Sequence, residues 1–212
     1  MFSPKTDRSA KLAGLFPKTI ERLEAIFSHS TNVYFDFANV IFWYERLHWR
    51  IDTKRVKQLL DSFDTIRAVK IYEGYIPGQK ESEQYIKDLE RSGYKVTSKP
   101  VKQMKFSIDI SSVPKDSPTL LRQFISKPLL NRLDIGTIQF LNQKLGELNK
   151  QGILYLEHGK CNFDVEIGRD MLLDFERNSV DTYVLWSGDS DFADPIKQLL
   201  QDGKRVYIFG TA

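Results

Sequence analysis

The 212-residue sequence holds one cysteine, Cys161, three histidines and three methionines. A lone cysteine rules out an intrachain disulfide framework and points to a reducing, cytoplasmic setting. His29, His48 and His158 lie far apart, so no zinc site of Cys and His ligands is expected, and any metal would have to be held by oxygen. No stretch approaches the roughly 18 apolar residues of a membrane span. The polar, basic first ten residues lack the apolar run of a signal peptide. Charge of one sign is missing too: 31 basic residues face 28 acidic ones. That balance excludes a histone-like polycation and an acidic disordered tail. What remains, 41% hydrophobic and 28% charged residues, fits a globular chain of one domain with an embellishment.

Residues 1–16 are polar and are expected to be loose. Pro17 opens a helix with Ile20, Leu23, Ile26 and Phe27 on one face, and residues 1–30 read as an N-terminal extension and helix ahead of the main domain. Val33-Tyr34-Phe35-Asp36-Phe37 is a continuous apolar run ending at an acid, as in a strand buried on both faces of a parallel sheet. A helix follows from about 52, a strand over 66–72 up to the Glu73-Gly74 break, a polar helix over 79–92 closed by Gly93, and a short strand over 94–97. The segment 101–157, with four prolines within or just before it and clustered serines, interrupts the alternation and reads as an insertion. It contains an amphipathic helix over 134–151 and an added strand near 153–156. The alternation then resumes: a helix from Asp164, a strand over 183–186, a helix opened by Asp194-Pro195 as N-cap and first residue, and a last strand over 205–209. Strands alternating with helices predict an α/β fold around a mainly parallel sheet.

In such sheets the chemistry gathers at the carboxyl ends of the strands. One strand delivers Asp36, with Asn39 three residues on. Another delivers Ser187-Gly188-Asp189-Ser190-Asp191. Asp164 opens a helix after the Gly159-Lys160-Cys161-Asn162 turn. Each residue alone has an ordinary explanation, since acids and Asn cap helices and form turns, and Asp170, six residues beyond Asp164, falls on another helix face. Together they suit Mg²⁺ or Mn²⁺, hard ions that prefer carboxylate oxygen and relieve the repulsion between crowded acids. An aspartyl-phosphate route would want Asp-x-Asp after the first strand, and Asp36 is followed by Phe37 and Ala38.

The segments Val33-Tyr34-Phe35-Asp36-Phe37-Ala38-Asn39, Lys160-Cys161-Asn162-Phe163-Asp164-Val165-Glu166-Ile167 and Val184-Leu185-Trp186-Ser187-Gly188-Asp189-Ser190-Asp191-Phe192 occur in this order. This pattern resembles the NYN domain, a LabA-like branch of the PIN-like nuclease superfamily, over about 32–100 and 158–210. The resemblance implies a PIN-like three-layer α/β/α sandwich over 31–212 and RNA cleavage at a Mg²⁺ or Mn²⁺ site. It implies metal-site roles for Asp36, Asp164, Asp189 and Asp191, and more weakly for Asp170. Asn39 would orient a water or phosphate, and Ser187 and Ser190 would shape the loop. The insertion departs from the family pattern. The chain also stops at Ala212, just after the last expected core strand, where relatives usually continue with a loop and a helix.

Basic residues cluster locally. Lys95, Lys99 and Lys102 fall in an acid-free stretch, and Arg46, Arg50 and Lys54 stand near Trp43, Tyr44 and Trp49. Cations interleaved with aromatics suit single-stranded RNA. Lys160 could offset charge on a scissile phosphate. The helix in the insertion is expected to pack on the body, to act as a lid, or to make a homo-oligomer contact. The reading from another class is a non-catalytic RNA- or protein-binding module of the same fold.

Overall fold

The computed structural model describes residues 1–177 and 180–211; Ala212, where the chain ends, lies outside them. In chain order the elements are α1 Asp7–Leu15, α2 Pro17–Ile26, β1 Thr31–Asp36, α3 Phe37–Val40, α4 Tyr44–Leu47, α5 Thr53–Leu60, β2 Ile66–Tyr75, α6 Lys80–Arg91, β3 Lys95–Pro100, β4 Lys102–Ser107, α7 Lys127–Leu130, α8 Ile135–Lys150, β5 Tyr155–Lys160, α9 Asp164–Glu176, β6 Thr182–Trp186, α10 Ala193–Gln201 and β7 Arg205–Phe209. They form two compact units, 1–101 with 161–212, and 102–160.

The first unit is built on a five-stranded sheet in the order β3-β2-β1-β6-β7, every neighbouring pair parallel. β1 is central, and all six of its residues are buried, as its continuous apolar run predicts. Side chains alternate between the faces. Val33 and Phe35 join Val69, Ile71 and Val184 in a core with Phe27, Leu60 and Leu89 of the helix side that holds α2, α5 and α6. Tyr34 joins Tyr72, Tyr183 and Leu185 in a second core with Ile167 and Met171 of α9 and Leu199 of α10. Helices thus cover both faces of the sheet. Strand order runs outward from β1 to β3 and then returns to β6 on the other side of β1. The carboxyl ends of β1 and β6 therefore flank the topological switch point, where a crevice opens in sheets of this kind.

The N-terminus departs from expectation. Residues 7–15 form a helix, because Thr6 and Ser9 close a reciprocal cap at 3.1 Å, and Phe2 docks against Phe63 at a ring separation of 5.0 Å. The α10 start also differs. The Ser190–Phe192 turn runs directly into the helix, so Ala193 is its first residue, and Asp194 lies inside the first turn instead of capping it. Gly93 has φ +86° beyond α6, the left-handed conformation expected of it.

The second unit contains an antiparallel ribbon of β4 and β5, with Lys102 opposite Lys160. α8 lies within the expected 134–151 range and packs Ile138 with Leu121 and Leu130 in a small core of its own. Gly159 and Lys160, expected in a turn, instead end β5.

Candidate metal centre

Asp36 is the last residue of β1 and is buried. Strand alternation puts it on the α9 side of the sheet, opposite in sense to Phe35. Its Oδ2 accepts a hydrogen bond from Ser187 Oγ at 2.8 Å, and its Oδ1 accepts a weak one from the Asn39 amide at 3.4 Å. Beyond β6, Ser187 Oγ also accepts from the Asp189 amide at 3.2 Å. Asp189 Oδ1 accepts from the Asp191 amide at 3.0 Å. A chain of short local bonds thus folds the Ser-Gly-Asp-Ser-Asp segment tightly over the end of β1.

Asn39 fastens this loop from across the crevice. Its Oδ1 accepts from the Gly188 amide at 3.0 Å and from Trp43 Nε1 at 3.2 Å. Trp43 is buried and stacks on Trp186 at 6.2 Å, and Trp186 stacks on Phe35 at 4.7 Å and Phe209 at 5.2 Å. Each such ring pair is worth about 0.5–1.5 kcal/mol beyond its buried area, so the loop rests on a stiff aromatic base. Trp43 belongs to this base, whereas Tyr44 and Trp49 are exposed.

Asp164 opens α9, with its amide donating to Asn162 Oδ1 at 3.2 Å. The carboxylates of Asp164, Asp189 and Asp191 lie within 4.8 Å of one another, and among the described residues none of the three forms an ion pair. Burial pushes the Asp164 carboxyl up, and the charges of Asp189 and Asp191 add to the rise against the opposing Asn162. Asp36 is not one of the three, but it feels them. Burial raises its pKa against the pull of Ser187 and Asn39, and Asp164 and Asp189 raise it further. Like charges this close disfavour ionisation, and a hard divalent cation is the partner that such an all-oxygen donor set accepts. The residues present therefore fit a Mg²⁺ or Mn²⁺ ion.

Other residues singled out in the sequence take other places. Asp170 lies farther along α9, where its carboxylate accepts from Tyr72 Oη at 2.9 Å and pairs with Arg169 at 2.9 Å. Ser190 is exposed in the loop turn. Arg46, Arg50 and Lys54 are exposed, and Arg50 sits 5.6 Å from the centroid of the Tyr44 ring. Lys99 pairs with Glu166 at 2.6 Å over the Phe163 ring, and Lys95 is exposed at the sheet edge. Lys102 and Lys160 are exposed on the ribbon of the second unit. Cys161 is a free thiol whose Sγ lies 3.9 Å from the Lys99 carbonyl oxygen.

Glu73 was not singled out by sequence reasoning. It follows Tyr72, the register partner of Asp36, and burial with repulsion from Asp36 pushes its carboxyl up to about 7 against a hydrogen bond from the Gly74 amide. The signal was an acid at the end of a strand, the same one that marked Asp36.

No curated protein matches the sequence significantly. In fold the chain is similar to a crystal structure of a protein of unknown function from Vibrio parahaemolyticus, with a TM-score of 0.52, 17% identity, and 86% of this chain and 82% of that one covered. At that identity the likeness concerns fold alone. Residues 117–212 match the family model of the NYN domain, a stretch that includes Asp164 and the Ser187–Asp191 loop while Asp36 precedes it. That match agrees with the resemblance at the two later acid motifs, does not reach the Asp36 motif, and runs through residues 117–157, which the resemblance left out; the parallel sheet covered by helices on both faces is consistent with a PIN-like sandwich.

Proposed function

We propose that the protein is a metal-dependent ribonuclease that hydrolyses phosphodiester bonds of single-stranded RNA. The observation that carries this reading is the convergence of Asp164, Asp189 and Asp191 within 4.8 Å, without a cationic partner among the described residues, at the switch point of the parallel sheet. A NYN match points to the PIN-like nuclease family. Asp164, Asp189 and Asp191 would hold one or two Mg²⁺ or Mn²⁺ ions, with Asp36 beside them. The ion, when bound, supplies Lewis-acid activation of water and neutralises charge on the phosphate.

The chain's own residues set the geometry. Ser187 holds Asp36 in one orientation, and Asn39 locks Gly188 so that the two loop acids face the start of α9. Asn39 Nδ2 has no hydrogen-bond partner among the described residues and is the group that would donate to a phosphate oxygen. Arg46, Arg50 and Lys54, exposed beyond the Asp36 turn, would bind the backbone of the incoming strand, with Tyr44 and Trp49 as stacking surfaces. Glu166 claims Lys99, which leaves that lysine a weaker phosphate ligand.

The test is incubation of end-labelled single-stranded RNA with the protein and Mn²⁺. Cleavage that stops with EDTA and with Asp189→Asn supports the reading. RNA retention without cleavage would favour the non-catalytic binding module instead.

A further inference from the structure

At the carboxyl ends of β1 and β2, on the sheet face opposite the acids, lies a cavity of about 420 Å³. Its walls include Phe37, Phe42, Tyr44 and Tyr85, with Arg50 beside them. Phe37 directly follows Asp36, so the cavity adjoins the end of β1 that carries this acid. Phe42 and Tyr44 are 58% and 40% exposed, which leaves aromatic surface open to a ligand. Glu73 lines the same cavity, and its Oε2 is buried with no hydrogen-bond partner among the described residues. Above about pH 7, where Glu73 is ionised, this oxygen can only accept, and a buried acceptor left unmet costs free energy that a donor would recover.

The missing partner is therefore flat enough for aromatic walls and brings N–H donors. Among the RNA bases, guanine alone presents two adjacent N–H donors, N1–H and N2–H₂, on one edge. Adenine and cytosine set an amine beside an acceptor nitrogen, and uracil sets one N–H between two carbonyls. Unstacked bases of single strands are read in this way, by stacking and by their Watson–Crick edges. Arg50, which lines the cavity over the Tyr44 ring, would meet the acceptor side of guanine or its phosphate.

We infer that this cavity receives a guanine base of single-stranded RNA, with Glu73 reading its N1–H and N2–H₂ edge. The inference rests on the acid site being an RNA-cleaving centre, and it gives that centre a sequence preference. The test is fluorescence anisotropy with labelled oligouridine carrying one central guanosine, inosine or adenosine, in EDTA so that nothing is cut. The guanosine oligomer should bind about tenfold more tightly than the adenosine one, with inosine, which lacks the N2 amine, between them. Glu73→Gln, its fold checked by circular dichroism, should erase the preference, and Phe42→Ala should weaken all three. Equal affinities for the three oligomers, no binding of any of them, or a preference that survives Glu73→Gln overturns the inference. Metal-dependent cleavage without guanine preference would sink only the cavity. Guanine preference without cleavage would sink only the nuclease reading.

Discussion

The first unit contains two concentrations of acid that obey opposite rules. Asp174, buried within α9, accepts from Tyr34 Oη at 2.6 Å and Asn32 Nδ2 at 2.7 Å, and Lys70 Nζ lies 2.8 Å away. Burial opposes its ionisation, yet Lys70, Tyr34 and Asn32 outweigh burial and hold the carboxyl below its ordinary range. Asp164, at the other end of the same helix, has acids for neighbours and is pushed up. One carboxylate is built into the fold by its partners. The other is held against its neighbours by the fold. The difference separates an acid that stabilises from one that waits for a cation.

The largest effect should come from breaking the second group. Asp189→Asn should lower Mn²⁺-dependent RNA cleavage on the order of 10²-fold or more, as expected when a metal ligand is lost. Its apo melting temperature should stay level or rise, because repulsion is relieved. Breaking the first group should do the reverse. Asp174→Ala removes the acceptor shared by Lys70, Tyr34 and Asn32 and leaves the largely covered Lys70 ammonium uncompensated, which costs about 3–5 kcal/mol. At about 2–4 °C per kcal/mol for a chain of this size, a thermal melt should fall by roughly 6–20 °C. Cleavage per folded molecule at low temperature should hardly change.

Adding Mn²⁺ sharpens the contrast. Saturation at about 100 times the dissociation constant should stabilise the protein by about 2.7 kcal/mol. Differential scanning calorimetry should register that gain in the wild type and in Lys70→Met, and not in Asp164→Asn. The smallest effect concerns Glu73. Its folded pKa of about 7 lies above the ordinary 4.5, so its contribution to stability is fully present below pH 4.5 and is lost as pH rises through about 7. Glu73→Gln should therefore melt higher than the wild type by a few degrees at pH 8 and equally at pH 4.5.

These contrasts were only partly legible in the sequence. The buried strands announced themselves as continuous apolar runs, and the acids at their ends marked the carboxyl edge. The helix over 134–151 was visible because its apolar stripe recurs at helical spacing. β4 was not, because Lys102–Ser107 is a largely exposed, polar strand with no buried face to alternate against. The N-terminal helix was hidden for a similar reason: its anchors, Phe2 on Phe63 and Thr6 with Ser9, are contacts and not a pattern. Glu73 lay in plain sight beside the Gly74 break, but only the pairing of Asp36 with Tyr72 brings it beside the end of β1. The distinction between Asp170, committed to Arg169 and Tyr72, and the three convergent acids likewise rests on contacts between segments far apart in the chain.

The central claim is that Asp164, Asp189 and Asp191 form a divalent-metal site. Titration of Mn²⁺ into the apo protein, followed by the loss of the free-ion electron paramagnetic resonance signal, tests it most directly. The wild type and Asp170→Asn should withdraw one or two ions per chain, and Asp164→Asn with Asp189→Asn should leave the ions in solution. A wild type that leaves the Mn²⁺ signal untouched, or a double variant that withdraws it as fully as the wild type, would contradict it.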